Sequence, residues 1–474
     1  MTKLAGWKKP CAVLLLCAAT GITVSAQTFT TLHSFTGTDG ANPYPGMTQG
    51  TDGNLYGTTI DGGAHSSGNV IKITPSGTLA SLYDFCSQSN CTDGQYPVST
   101  LVLGDDGDFY GTTQNGGIYN PLYGTIFKVS PSGTLTTLHS FNAIDGVSPY
   151  GSLLLASNGN FYGTATGGGT CTLVGGCGTL FMITPGGAFT TLHTFCLQSG
   201  CPDGQLPGGA LIEASDGNIY GTTHGGGNFT YCPQSGCGTV FQLTLGGTLT
   251  TLHTFSKRDG DYPAPGVVEG SKGVFYGSTG GGGTSDLGTV FSMTSSGTVT
   301  TLYAFNGTDG IGPYSLTAGS DGNFYGTTIG GGTASQGTVF QITPAGALTT
   351  LYSFSGTFFY YFGGLMQGTN GSFYGTTYFG GTNDDGSIYS LSNGLKPFVS
   401  VQPGSGQPGA TVKILGNNLT SATSVTFHGT PATFQVVSKN LITATVPAGA
   451  TSGRVEVMSS SHSLLSNVPF VVAP

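Results

Sequence analysis

The sequence predicts an all-β protein: a seven-bladed β-propeller closed by its N-terminal strand, followed by an immunoglobulin-like β-sandwich. Three observations carry this reading. A unit beginning Tyr-Gly recurs seven times, at Tyr56, Tyr110, Tyr162, Tyr220, Tyr276, Tyr325 and Tyr374, at intervals of 49 to 58 residues. Each copy is followed by a glycine-rich stretch and then by Gly-Thr-Val-Phe or a relative, from Gly68–Ile71 in the first copy to Gly386–Tyr389 in the last. Near Ser392 this pattern stops and short alternating apolar runs take over.

Residues 1–26 are expected to be a secretory signal peptide. Lys3, Lys8 and Lys9 precede the apolar run Cys11 to Ala19, and Val24-Ser25-Ala26 offers a small-residue cleavage site. The run is too short to span a bilayer. Lipid attachment at Cys17 is the alternative, but Leu16 stands where a small residue is needed. No later segment has a transmembrane pattern, and the last residues carry no hydrophobic-plus-basic anchor. The expected location is therefore secreted, cell-surface or periplasmic. Removing the leader's three lysines leaves nine basic against 21 acidic residues, a net charge of −12. That excess argues against nucleic acid and anionic membrane surfaces as partners.

Residues 27–391 hold the repeats. The chain has 84 glycines, with charged residues only 7% of the total, a bias that would also fit disorder. The 22 tyrosines and 28 phenylalanines oppose disorder, and glycine recurring with aromatics reads as short strands joined by tight turns. In the third copy the expected strands are Gly151 to Ala156, Asn160 to Thr164, Gly178 to Thr184 and Ala188 to Phe195. A Thr-Leu-His/Tyr-x-Phe motif supplies the last strand of each unit and ends at Phe35, Phe85, Phe141, Phe195, Phe255, Phe305 and Phe354. The seventh unit lacks this strand at its own end, and Thr28 to Phe35 supplies it from the N-terminus. Such closure removes the unpaired edge that an open array would leave.

The segments Asp-Gly-Asn-Phe-Tyr-Gly-Thr-Thr (321–328), Gly-Thr-Val-Phe-Gln-Ile-Thr-Pro (337–344) and Thr-Leu-Tyr-Ser-Phe (350–354) resemble the Gloeo–Verruco tandem repeat of exported bacterial proteins. The resemblance implies export and a surface location. It transfers no catalytic residues.

Residues 392–396 read as a linker and 397–474 as the second domain. Seven short strands, from Val399 to Val472, suit a β-sandwich. The pattern Val-x-Pro-Gly-x-Gly-x-Pro-Gly, then Val-x-Phe-His-Gly and Val-Pro-Ala-Gly, resembles the IPT/TIG domain. That likeness implies an immunoglobulin-like fold, and with only Lys413, Lys439 and Arg454 basic, DNA binding is disfavoured.

The cysteines beyond the leader fall in four close pairs: Cys86/Cys91, Cys171/Cys177, Cys196/Cys201 and Cys232/Cys237. In an exported chain these predict local disulfides; the spacing is not that of a zinc knuckle, and no metal or other cofactor is expected. His33, His139, His193 and His253 share one register of the last strand, one per blade, and read as structural. Asp39, Asp93, Asp145, Asp203, Asp259 and Asp309 head Asp-Gly-x-x-Pro connections and read as turn residues rather than calcium ligands.

Candidates for chemistry are few. Glu213 and Glu269 lie at equivalent places in the inner strands of the fourth and fifth blades and could form an acid/base pair or a cation site, or simply line the channel. His224 follows a Tyr-Gly-Thr-Thr strand and precedes three glycines, without a local carboxylate. Phe358, Phe359, Tyr360 and Tyr361 interrupt the sixth-to-seventh connection. They could stack on sugar rings or pack against the second domain. The expected function is a monomeric, exported, non-catalytic binding protein with the propeller as platform for glycan or extracellular protein. A polysaccharide-active lyase or hydrolase on the propeller face and a structural or adhesive surface module are the alternatives.

Overall fold

The computed structural model describes residues 27–119, 122–171, 177–271, 273–355, 363–460 and 462–473. The leader, residues 1–26, lies outside the described residues. Each repeat forms one antiparallel sheet. In the third blade the order from the axis outward is Leu154–Leu155, Phe161–Ala165, Thr179–Ile183 and Phe189–Thr194. The inner ladder of that blade covers only two residues, a narrower span than Gly151 to Ala156. In the seventh blade the order is Met366–Gln367, Phe373–Thr377, Ser387–Ser392 and then Thr28–Ser34. The N-terminal strand thus completes the last sheet, with Thr28 opposite Ser392 and Ser34 opposite Ser387.

The Tyr-Gly strand is buried along its length because neighbouring blades cover both its faces, as in Leu55–Thr59. Its tyrosine ring leaves its own blade and lies on the residue preceding the next blade's tyrosine. Tyr56 stacks on Phe109 and Tyr110 on Phe161, each with centroids 4.1 Å apart. Tyr276 on Phe324 and Tyr325 on Phe373 repeat the spacing. Where the next blade has Ile219 or Leu55 instead, Tyr162 and Tyr374 join the same apolar clusters with them. The Tyr374–Leu55 cluster joins the last blade to the first and shuts the ring. Each aromatic stack adds about 0.5–1.5 kcal/mol beyond simple burial.

In six blades the tyrosine hydroxyl is held by the turn just before it. Tyr56 donates to Asp52 (2.9 Å), Tyr220 to Asp216 (2.8 Å) and Tyr325 to Asp321 (2.9 Å). The glycine after the tyrosine is there for space: a Cβ on Gly163 would stand 2.5 Å from the Phe181 ring that fills the blade.

A second device fixes the connections between blades. The histidines of the outer strands and the aspartates of the Asp-Gly turns, read separately in the sequence, form one clamp. His33 bonds Asp39 at 2.9 Å, His139 bonds Asp145 at 3.2 Å, His193 bonds Asp203 at 2.8 Å and His253 bonds Asp259 at 2.9 Å. Tyr83 and Tyr303 do the same to Asp93 and Asp309. Each aspartate also accepts a backbone N–H at the start of its loop, from Thr36 for Asp39 and Ser256 for Asp259. Asp93 and Asp203 stand eight residues past their phenylalanines, against four in the other such loops. The disulfides Cys86–Cys91 and Cys196–Cys201 close those insertions. The bridges Cys171–Cys177 and Cys232–Cys237 lie between the second and third strands of blades three and four.

The C-terminal domain is a sandwich of two four-stranded sheets. Val412, Ile414 and Ile442 from one sheet meet Val425, Phe427 and Val455 from the other in a single core. The domain sits on the propeller face that carries the turns between first and second strands. Asn440 donates to the Asp52 carbonyl (2.6 Å), Lys413 to the Asp105 carbonyl (2.7 Å) and Asn417 to the Thr369 hydroxyl (2.7 Å). Gly53 keeps that contact close, since a Cβ there would meet the Asn440 amide at 2.4 Å.

Phe29 of the N-terminal strand stacks on Tyr352 (4.0 Å) and Tyr389 (5.0 Å) and is half-buried. Phe29→Ala is expected to lower unfolding free energy by about 2 kcal/mol, below the range for fully buried phenylalanine. An unchanged denaturant midpoint would show that this strand stands outside the cooperative unit. For Asp39 and Asp259, burial pulls the carboxyl pKa up, but the backbone N–H and imidazole bonds outweigh it and hold both below the ordinary value of 3.8. A depressed carboxyl stabilises the fold above its unfolded pKa, and that contribution is lost as pH falls through the folded one. Thermal melts from pH 7 to 3 should therefore show stability dropping below about pH 4. The double variant Asp39→Asn, Asp259→Asn should flatten that drop.

Candidate functional site

The sandwich sits on one face of the propeller, over turns of the seventh, first and second blades, and the opposite face is built from the inter-blade connections and the glycine-rich loops. At its centre lies a cup of about 80 Å³. Its aromatic walls are Tyr44, Tyr150 and Tyr314, each the residue after the proline of an Asp-Gly-x-x-Pro turn. The clamped aspartate sets the start of that turn and the proline restricts the backbone, so the following side chain is delivered to the axis. Tyr44 and Tyr150 meet edge to face at 5.8 Å, Tyr44 and Tyr314 at 6.2 Å, and the Tyr44 and Tyr314 hydroxyls lie 3.2 Å apart. Tyr378 packs edge-on against Tyr44 from the last blade.

Between the rings the wall is small and polar. The Gly46 N–H donates to Thr100 Oγ1 (3.0 Å) and the Thr100 N–H to Ser152 Oγ (3.0 Å). On the side of the fourth and fifth blades no tyrosine stands in the wall, and Gly208, Ala210 and Pro265 line it. No Asp, Glu, Lys, Arg or His lines the cup among the described residues. Burial pushes the Tyr314 phenol up to about 12 and raises that of Tyr150 as well. The phenols therefore stay protonated and can donate across the physiological range.

The two glutamates are not brought to a common point. Each reaches the turn of the preceding blade. Glu213 accepts the Ser157 N–H at 2.7 Å, and Glu269 accepts the Ser215 N–H and hydroxyl, both at 2.7 Å. Gln367 grips Ser320 in the same way, and Gln49 accepts from the Thr369 N–H. The column is an inter-blade clasp in which glutamate and glutamine do the same work. His224 lies exposed on the cup's face, with its ring stacked on Tyr262 at 4.8 Å. Burial against the protein lowers its pKa below the ordinary 6.5. Phe358, Phe359, Tyr360 and Tyr361 lie outside the described residues; the nearby Gly364 lines the cup.

The cup tyrosines were missed in the sequence. The available signal was the single column after the proline, which reads Tyr44, Val98, Tyr150, Gly208, Ala264 and Tyr314. Among the described residues no three or more His, Cys, Asp or Glu side chains gather as metal ligands, and no helix is long and apolar enough to cross a membrane.

Among solved structures, a fungal alcohol oxidase of the AA5 family, determined in complex with copper, is 15% identical with a TM-score of 0.52. The match covers 95% of this chain and 100% of that one. The extracellular domain of a hybrid two-component system from B. thetaiotaomicron is 12% identical, TM-score 0.48, over 91% of this chain and 54% of that one. A gluconolactonase from Xanthomonas campestris is 13% identical, TM-score 0.39, over 78% and 90%. At such identity the oxidase speaks to the fold alone. No curated protein matches the chain. Residues 398–472 match the IPT/TIG domain. Residues 19–232 and 229–431 match the Gloeobacter/Verrucomicrobia repeat, and the chain belongs to that family.

Proposed function

We propose that this is an exported, non-catalytic binding protein that recognises glycan through the axial cup. The observation that carries the reading is the ring of Tyr44, Tyr150 and Tyr314 at the centre of the face opposite the sandwich. Aromatic faces pack on the C–H surfaces of a sugar, and fixed hydroxyls and amides satisfy its polar groups. The lining is uncharged and its phenols remain donors, a combination that suits a neutral polyol better than an anion. Export is supported by the leader pattern in residues 1–26 and by four bridged cysteine pairs in short loops. The non-catalytic reading is supported by the commitment of Glu213 and Glu269 to serine and backbone donors.

The test is a broad glycan array probed with residues 27–474, alongside Tyr44→Ala and Tyr314→Ala variants checked for folding by thermal melt. A glycan bound by the parent protein should lose about tenfold in affinity with either variant, about 1.4 kcal/mol. Retained binding in both folded variants would move the site off the axis, and binding of no glycan would replace sugar by protein as the ligand class.

A further inference from the structure

We infer that the cup is one end of an extended saccharide site, and that the stacked His224–Tyr262 pair is its second ring platform. This rests on the glycan reading above. The cup's wall is uneven: three tyrosines stand on the first, third and sixth blades, whereas Gly208, Ala210 and Pro265 leave it low towards the fourth and fifth. A ligand longer than one unit leaves over that low side. The chain leads there directly. Tyr262 precedes Pro265 by three residues, roughly 10 Å of extended backbone. The His224 N–H is bonded to the Leu206 carbonyl (3.1 Å), two residues before Gly208.

The platform is built in advance of any ligand. Tyr262 occupies the left-handed region at φ 52°, as do Asn42, Tyr96, Ser148 and Leu206 at the same place in other connections. Its N–H donates to the Cys237 carbonyl (3.2 Å) and its hydroxyl accepts from Ser235 Oγ (3.2 Å). Both partners belong to the loop closed by the Cys232–Cys237 disulfide. Rings fixed in this way lose little freedom on binding. The position of His224 reads Ile60, Gln114, Thr166, Gly280, Ile329 and Tyr378 in the other blades. The one other ring in that column, Tyr378, already packs on Tyr44 beside the cup. The exposed Tyr231 directly precedes Cys232 of the same disulfide-bearing loop.

The test is titration calorimetry of residues 27–474 with neutral gluco-, xylo- and manno-configured oligosaccharides of one to six units. For the series that binds, affinity should rise with length by about three- to tenfold once a unit reaches the platform, the magnitude of one aromatic contact. His224→Ala should abolish that gain and His224→Phe, which keeps the stack, should restore it. An affinity that does not rise with length, or a gain that survives His224→Ala, overturns the extended site while leaving the cup. Failure of every series to bind removes the glycan reading itself, and the platform with it.

Discussion

The structure depends on a tyrosine that belongs to one blade and packs on the next. Burying an aromatic ring against a neighbour's side chain makes each blade incomplete by itself, so the repeats become stable only as a closed set. The constraint propagates outward. In six blades the ring's hydroxyl is fixed by an Asp or Asn four residues before it, a position that Lys272 holds ahead of Tyr276. The blade can fill behind it only if the next residue is glycine, as the Phe181 ring beside Gly163 illustrates. Closure then requires that the last tyrosine, Tyr374, find a partner in the first blade, and Leu55 supplies it.

The two faces answer to different demands. One carries short turns whose carbonyls are repeated and close to the surface, and the sandwich uses them as acceptors at Asp52 and Asp105. The other carries longer connections, in which the clamp of a histidine or tyrosine on aspartate fixes where each loop begins. Between clamp and inner strand a few positions are free to vary. There the sequence places tyrosine in some blades and glycine or alanine in others, and an uneven cup results. The disulfides work with this arrangement: a four-residue insertion after Phe85 or Phe195 is folded onto itself, and the aspartate still returns to its station.

Much of the architecture was legible in the sequence because it is periodic. Seven Tyr-Gly units, a displaced first strand and a change of pattern near Ser392 give blade number, closure and the second domain. The cysteine pairs were legible because each bridge is local. The candidate site was not, for physical reasons. The cup is made by residues as far apart as Tyr44 and Tyr314, which meet only through ring closure, and it rests on departures from the repeat rather than on the repeat itself. Glu213 and Glu269 attracted notice as rare carboxylates on adjacent strands, yet the clasp they make is equally well made by Gln367 and Gln49. His224 stood out by its place between a Tyr-Gly-Thr-Thr strand and three glycines, although no local carboxylate accompanied it. In the structure its chief neighbour is the aromatic ring of Tyr262.

The pairing of Thr28 with Ser392 puts the chain's entry into the propeller and its exit towards the sandwich at the same end of one antiparallel ladder. Tension applied between the N-terminus and the C-terminal domain would load those hydrogen bonds one at a time, as in opening a zipper, rather than all together in shear. A molecule of this build is mechanically weak when pulled by both ends, and poorly suited to bridging two surfaces under load.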